Sequence, residues 1–262
     1  MPKFAKAETQ AKNVIKGLTK TKHIKSLGTA RNYMQSLKTV ASWSKDIGIN
    51  GIQAMMQFNG KLQPKQTLYR VKSLLEEIKR SRAYTPEQAQ AISQRQTFKH
   101  ELATQLAYAA GLRAHELLTL SKASERPPNN RPALDSKWQG RSGELYTVAG
   151  KGGLIRHVLI PNYLVEQLEA KKLKQPITVT DREINYLQHY DVGGGKKWSD
   201  SFSKASNRTL LFSTGAHGLR HSYAQERMVE LHALGFKYKM ALGTVSQEMG
   251  HFRPEITEVY LR

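Results

Sequence analysis

His217-Gly-Leu-Arg220-His221, then Met249-Gly-His251 and, nine residues on, Tyr260 occupy the last 46 residues of this 262-residue chain. Their reading decides the fold. A guanidinium stays charged at any working pH, an imidazole holds or gives a proton near neutrality, and a phenol becomes a nucleophile inside a cationic pocket. A basic pair (His217, Arg220), a second His and a late Tyr are the parts needed to attack a phosphodiester without a metal.

Upstream, Gly111-Leu-Arg113-Ala-His-Glu116-Leu places Arg113 and Glu116 three residues apart, which predicts a shared helix face. Taken alone, that is an ordinary exposed ion pair. Between the two clusters, Leu145-Tyr-Thr-Val148 and Ile155-Arg-His-Val-Leu-Ile160 are β-prone. Ala149-Gly-Lys151-Gly-Gly153 is the turn between them, so Lys151 rides on a flexible hairpin tip. It is no phosphate loop, because the GxxxxGK[ST] spacing is absent there and at Gly193-Gly-Gly195-Lys196-Lys197.

The remaining elements follow from periodicity. Residues 1–25 predict a helix with a frayed start. Over 26–45, Thr29, Tyr33, Leu37, Val40 and Trp43 form an apolar stripe, with Tyr33 and Trp43 as core. Pro64 opens a helix with Leu68, Val71, Leu74, Leu75 and Ile78 on one face and Lys65, Arg70, Lys72, Lys79 and Arg80 on the other. Residues 81–84 read as a linker. Thr85-Pro86-Glu87 starts a new helix with Thr as N-cap, and Gly111 ends an amphipathic helix over 98–110. Residues 121–142, with three prolines, read as irregular. A short helix over 162–175 carries Lys171, Lys172 and Lys174 at its end. Residues 181–209 predict little beyond a helix around 199–206. Ser213 or Thr214 caps the helix of His217 and Arg220, whose stripe is Leu219, Tyr223, Met228 and Leu231. A helical piece over 244–250 follows, and Pro254 opens the last helix.

The chain holds 41 Lys/Arg against 21 Asp/Glu, a formal charge of +20. Such an excess points to a polyanionic partner, nucleic acid first and an acidic membrane surface second. It is uneven: residues 1–82 hold 17 basic against 4 acidic side chains. That third is the stronger candidate for gripping a nucleic-acid backbone. No cysteine is present, which excludes disulfides, Cys-ligated zinc and a Cys nucleophile. No apolar run approaches the roughly 18 residues of a membrane span, and the N-terminus lacks a signal-peptide core. The expectation is a soluble, cytoplasmic, DNA-associated protein.

Gly-Leu-Arg113-x-x-Glu116, Lys151 in a hairpin turn, His217-x-Leu-Arg220-His221, Gly-His251 and Tyr260 together resemble the tyrosine recombinase (phage integrase) family in order and spacing. The motifs span 84–262; residues 1–80 match by pattern only, as a small basic helical bundle like the family's core-binding domain. The resemblance implies an α+β chain, mainly α with a small β-sheet or hairpin. It has a core-binding domain at 1–80, a linker at 81–84 and a catalytic domain at 85–262, closing as a clamp on duplex DNA. One departure is Met249 where the family usually has Leu, a tolerable core swap. Another is that only Leu261 and Arg262 follow Tyr260, where many relatives continue into a segment that docks on a neighbouring subunit. No arm-site-binding domain precedes residue 1, so binding to the core crossover site alone is expected.

The physical chemistry assigns roles beside the resemblance. Arg113 and Arg220 donate paired hydrogen bonds to the non-bridging phosphate oxygens, with His251 as a third donor. Tyr260 is the nucleophile and His217 the candidate general base. Lys151 supplies the proton that the departing 5′-hydroxyl needs. Glu116 orients or neutralises its surroundings, His221 packs, His115 is surface, and Tyr163, Tyr186, Tyr190 and Tyr238 lack the position after Gly-His. The resemblance implies a 3′-phosphotyrosyl link that stores the bond energy, so no metal, nucleotide or other cofactor is expected. Expected partners are a specific double-stranded DNA site, three further copies in a homotetramer, and accessory DNA-bending or directionality proteins, in integration or excision of a mobile element. Two other readings fit these residues: a chromosome-dimer resolvase or type IB topoisomerase-like enzyme, and a non-catalytic DNA-binding relative. The intact set of six argues against the last.

Overall fold

The computed structural model of the protein describes residues 81–150 and 152–262. The basic helices expected over 1–80, with Tyr33 and Trp43, and the side chain of Lys151 lie outside the described residues. These fall within the second of two compact units, Lys79–Arg262.

Ser81 and Arg82 are exposed, but the expected linker docks on the body of the unit. Tyr84 is 2% exposed and packs edge-on against Phe202 at 5.3 Å. Its N–H donates to Ser222 Oγ at 2.8 Å, Arg82 Nη2 donates to the Thr214 carbonyl at 2.7 Å, and Thr214 Oγ1 donates to the Arg82 carbonyl at 2.7 Å. Helix α1 (Pro86–Ser93) begins as expected, with reciprocal bonds between Thr85 and Gln88 satisfying two of the backbone donors a helix start leaves free. Helix α2 (Phe98–Ala110) ends at Gly111, whose φ of +60° and a Tyr223 ring 2.8 Å from any added Cβ leave room only for glycine.

Arg113 and Glu116 do not share an α-helical face. The chain turns after Gly111 and forms a single 3₁₀ turn over Glu116–Thr119. Strands β1 (Ser121–Lys122), β2 (Gly143–Ala149) and β3 (Ile155–Pro161) form an antiparallel sheet in that order. The β2–β3 hairpin is the expected one, pairing Ala149 with Ile155 around the glycine turn. Helix α3 (Asn162–Glu169) stops earlier than its expected end at 175.

A second hairpin, β4 (Lys172–Asp181) and β5 (Ile184–Tyr190), takes the place of the expected helix end and the unassigned polar stretch. Lys172 and Lys174 are therefore strand residues. The turn went unread because Arg182 and Glu183 occupy it with φ of +48° and +65°, a two-residue hairpin turn without the Asn or Gly that normally announces one. Most of β4 and the outer half of the ribbon are solvated, with Ile177, Ile184 and Leu187 exposed, while Gln188 and Tyr190 at the base of β5 are buried.

Helix α4 (Gly195–Leu210) is twice the length expected, starting at the glycine run rather than after it. Helix α5 (Gly218–Ala233) starts at His217 with no side-chain cap; Thr214 spends its hydroxyl on Arg82 instead. Helix α6 (Tyr238–Glu248) starts before the expected piece, and α7 (Pro254–Thr257) runs into a 3₁₀ turn over Glu258–Leu261 that carries Tyr260. One core joins α1–α4 to the sheet; a second packs α5 and α6 around Met249 and Tyr260. The architecture is α+β, as the motifs implied. Among the described residues no helix is long and apolar enough to cross a membrane.

Candidate active site

Helix α5 presents His217, Arg220 and His221 from its first turn. Arg220 is fully buried. Its Nη1 donates to the Gly111 carbonyl, where α2 ends, and its Nη2 donates to the Met249 carbonyl at 3.2 Å, where α6 ends. Two helix C-termini, each with unpaired carbonyls and a negative dipole end, thus converge on one cation. Burial, then repulsion from Arg113, lowers the Arg220 pKa to about 10, so it remains a cation at neutral pH. Its Nε has no hydrogen-bond partner among the described residues.

Glu116 ties the second arginine to the first. Its carboxylate is fully buried and accepts from Arg113 Nη1 at 2.7 Å, from the Arg113 backbone N–H at 2.8 Å and from Arg156 Nη2 at 2.9 Å; Arg220 Nη1 lies 3.9 Å away. Burial alone would raise its pKa, but the charges of Arg156, Arg220 and Arg113 override it and hold the carboxyl well below the usual range. Three guanidiniums around one carboxylate leave a net positive patch, the electrostatic requirement for holding a phosphate. The Arg113–Glu116 pair is therefore no surface salt bridge.

Tyr260, 8% exposed, lies over this patch, its ring centroid 5.5 Å from the Arg220 guanidinium carbon. Three imidazoles surround the ring: His221 at 4.8 Å, His251 at 5.0 Å and His217 at 5.4 Å between centroids. Burial, then the Arg220 and Arg113 charges, push the His251 pKa down to about 3. Burial, then Arg82, push buried His221 down to about 4. His217 is the exposed member, at the rim; partial desolvation and then Arg220 lower it to about 4 as well. All three are neutral at pH 7.

The structure thus brings Arg113, His217, Arg220, His251 and Tyr260 into one site from four separate parts of the chain. Lys151 lies outside the described residues; the turn around it closes through Gly150 N–H to the Leu154 carbonyl at 2.7 Å. His221, read as packing, is buried and has the imidazole nearest Tyr260. One residue was missed. Arg156, read only as a strand residue, is 4% exposed and contacts Glu116. Its signal was present: it falls in phase with Val158 and Ile160, the inward face of β3. Among the described residues no group of three or more His, Asp or Glu side chains is arranged to hold a metal ion.

Solved structures similar to this chain include two complexes of the XerH site-specific recombinase. The one with a palindromic difH substrate, a post-cleavage complex, aligns with a TM-score of 0.54 at 17% identity. The one with difH, a pre-cleavage complex, aligns with a TM-score of 0.49 at 17% identity. Each alignment covers 90% of this chain and 62% of the neighbour's, so the chain spans less than two thirds of the recombinase length. No family model and no curated protein matches. The fold is that of the tyrosine recombinases.

Proposed function

We propose that the protein is a site-specific DNA recombinase that cuts and rejoins duplex DNA through a 3′-phosphotyrosyl link at Tyr260. The observation that carries this reading is the seating of the Tyr260 ring 5.5 Å from the buried Arg220 guanidinium, inside a ring of neutral histidines. A phenol in that position attacks an anion held by the same arginine. The likeness of fold to a recombinase caught on its DNA substrate supports the reaction class.

In the proposed reaction Arg113 and Arg220 hold the non-bridging oxygens. Tyr260 Oη forms a bond to phosphorus as the bond from phosphorus to the 5′ oxygen breaks. The phenol proton passes to His217, whose exposure lets it exchange with solvent, and Lys151 protonates the leaving 5′ oxygen. The charge that grows on the phosphoryl oxygens is stabilised by guanidiniums already fixed in place. A 5′-hydroxyl from a second duplex reverses the attack and rejoins the strand. Because Arg220 is fully buried, phosphate entry requires the segment Pro254–Leu261 to shift and uncover it. Residues 1–80 supply the grip on the DNA backbone through their charge. Exchange between two duplexes uses four sites, so the working unit is a homotetramer on two DNA sites, in integration or excision of a mobile element.

The test is covalent trapping. A duplex library carrying 5′-bridging phosphorothiolates, incubated with protein and chelator, is expected to yield a protein–DNA band on a denaturing gel that Tyr260→Phe abolishes. Tight binding without any adduct, or an adduct that persists in Tyr260→Phe, would overturn the reading.

A further inference from the structure

We infer that Arg156 is a positioning residue for the phosphate clamp: by bonding Glu116 and the end of α6 together, it sets the spacing of Arg113, Arg220 and His251. The inference rests on the recombinase reading above. Arg156 touches neither the phenol nor any group assigned a chemical step, so it acts through others.

Its contacts join three elements. Nη2 donates to Glu116 Oε2 at 2.9 Å, the oxygen that also accepts the Arg113 N–H and faces Arg220. Nη1 donates to the Glu248 carbonyl at 2.7 Å. That carbonyl sits on a rigid post, because the Glu248 carboxylate is itself held by buried Arg227 at 3.0 Å, by Tyr223 Oη at 2.8 Å and by the Trp138 N–H at 2.8 Å. The Arg156 stem lies under Gly250, where an added Cβ would come within 2.5 Å of Cδ, and the next residue is His251. One side chain therefore underlies the turn that aims His251 and holds the carboxylate that aims both clamp arginines.

Stability alone does not account for an arginine here. The neighbouring inward positions of β3 are Val158 and Ile160, and an apolar residue at 156 would avoid the desolvation of a buried cation. Loss of Arg156 also changes the charge balance. Glu116 would then be shared by two guanidiniums rather than three, and each would be more fully neutralised where it should face phosphate.

The test compares a normal scissile phosphate with a methylphosphonate at the same position, which removes the negative charge and keeps the leaving group. For Arg156→Met, DNA affinity is expected to stay within about threefold of wild type. Single-turnover adduct formation is expected to fall on the order of 30-fold or more on phosphate, as misplacement of a clamp does, and by less than about fivefold on methylphosphonate. Equal losses on both linkages, or no loss, would overturn the inference. Should Arg156→Met fail to fold, Arg156→Lys keeps the charge and stem, but one nitrogen cannot serve both acceptors; the same ordering of losses is expected. Failure of both variants to fold would assign Arg156 to stability and also overturn the inference. Wild type runs alongside: no adduct from wild type sinks the recombinase reading and the inference together, whereas a wild-type adduct matched by Arg156→Met sinks the inference alone.

Discussion

Arg220 Nη2 lies 3.0 Å from His251 Nε2. A guanidinium can only donate, so Nε2 accepts and the ring hydrogen sits on Nδ1, which donates to Thr257 Oγ1 at 3.0 Å. Both nitrogens of His251 are thereby engaged, and neither presents an N–H to an incoming anion. The third phosphate donor expected from the motif exists only after Arg220 turns its Nη2 to a phosphate and the ring proton moves to Nε2.

That relationship predicts a tautomer switch. In ¹⁵N spectra of histidine-labelled protein at pH 7, the His251 ring is expected to be the Nδ1–H tautomer when free and Nε2–H with cognate duplex bound to Tyr260→Phe. An unchanged tautomer on binding would remove His251 from the clamp.

Acid should weaken the fold. A histidine whose folded pKa is depressed contributes stability that is fully present above its unfolded value near 6.5. That stability is lost as pH falls toward the folded value, because the unfolded chain takes the proton first. His221 at about 4 and His251 at about 3 set the window between roughly pH 6.5 and 3. Calorimetric unfolding of the wild type is expected to show a falling Tm across it. His221→Asn, which cannot titrate, should flatten that fall by an amount worth about 1–2 kcal/mol after solvent screening. Parallel profiles would contradict the assignment.

Glu116→Gln removes the shared carboxylate and leaves three guanidiniums facing one another. Breaking a buried pair in this way costs about 3–5 kcal/mol. Denaturant titration should register that loss at pH 7, and a change under about 1 kcal/mol would mean that water reaches the cluster.

Gly250→Ala strains the turn before His251. The position has φ of +73°, and its Cβ would meet Arg156 Cδ at 2.5 Å. The left-handed conformation alone costs an L-residue roughly 1–2 kcal/mol. Slower adduct formation with DNA affinity kept is the expected result; wild-type kinetics would show that the turn relaxes freely.

Binding to duplex DNA should weaken steeply with salt. Neutralising 6 to 10 phosphates loses about 10³ to 10⁵ in affinity between 50 and 200 mM salt. Removing residues 1–80 should flatten the log–log slope, since most of the charge excess lies there; an unchanged slope would move the grip to the second unit.

The elements legible from sequence were those with local signals. The Thr85-Pro86 start, the Gly111 stop and the glycine turn between β2 and β3 announce themselves through residues a few positions apart. The β4–β5 ribbon did not, because its turn uses Arg182 and Glu183 and its outer half is solvated, with Ile177, Ile184 and Leu187 exposed. Tyr84 read as linker because its partners, Ser222 and Phe202, are far away in sequence.

The site divides the same way. The sequence by itself determined which residue types were available: two arginines, a lysine, two histidines and a tyrosine in the order of the motif. Tertiary structure decided how those groups are paired. Glu116 turned from a helix-face partner into a buried hub, Arg156 from a strand residue into its third ligand, and His251 from a free donor into an acceptor held by Arg220. The physical reason is that residue type sets what a group can donate, accept or ionise. Burial and the partners brought by distant segments set which of those options it uses.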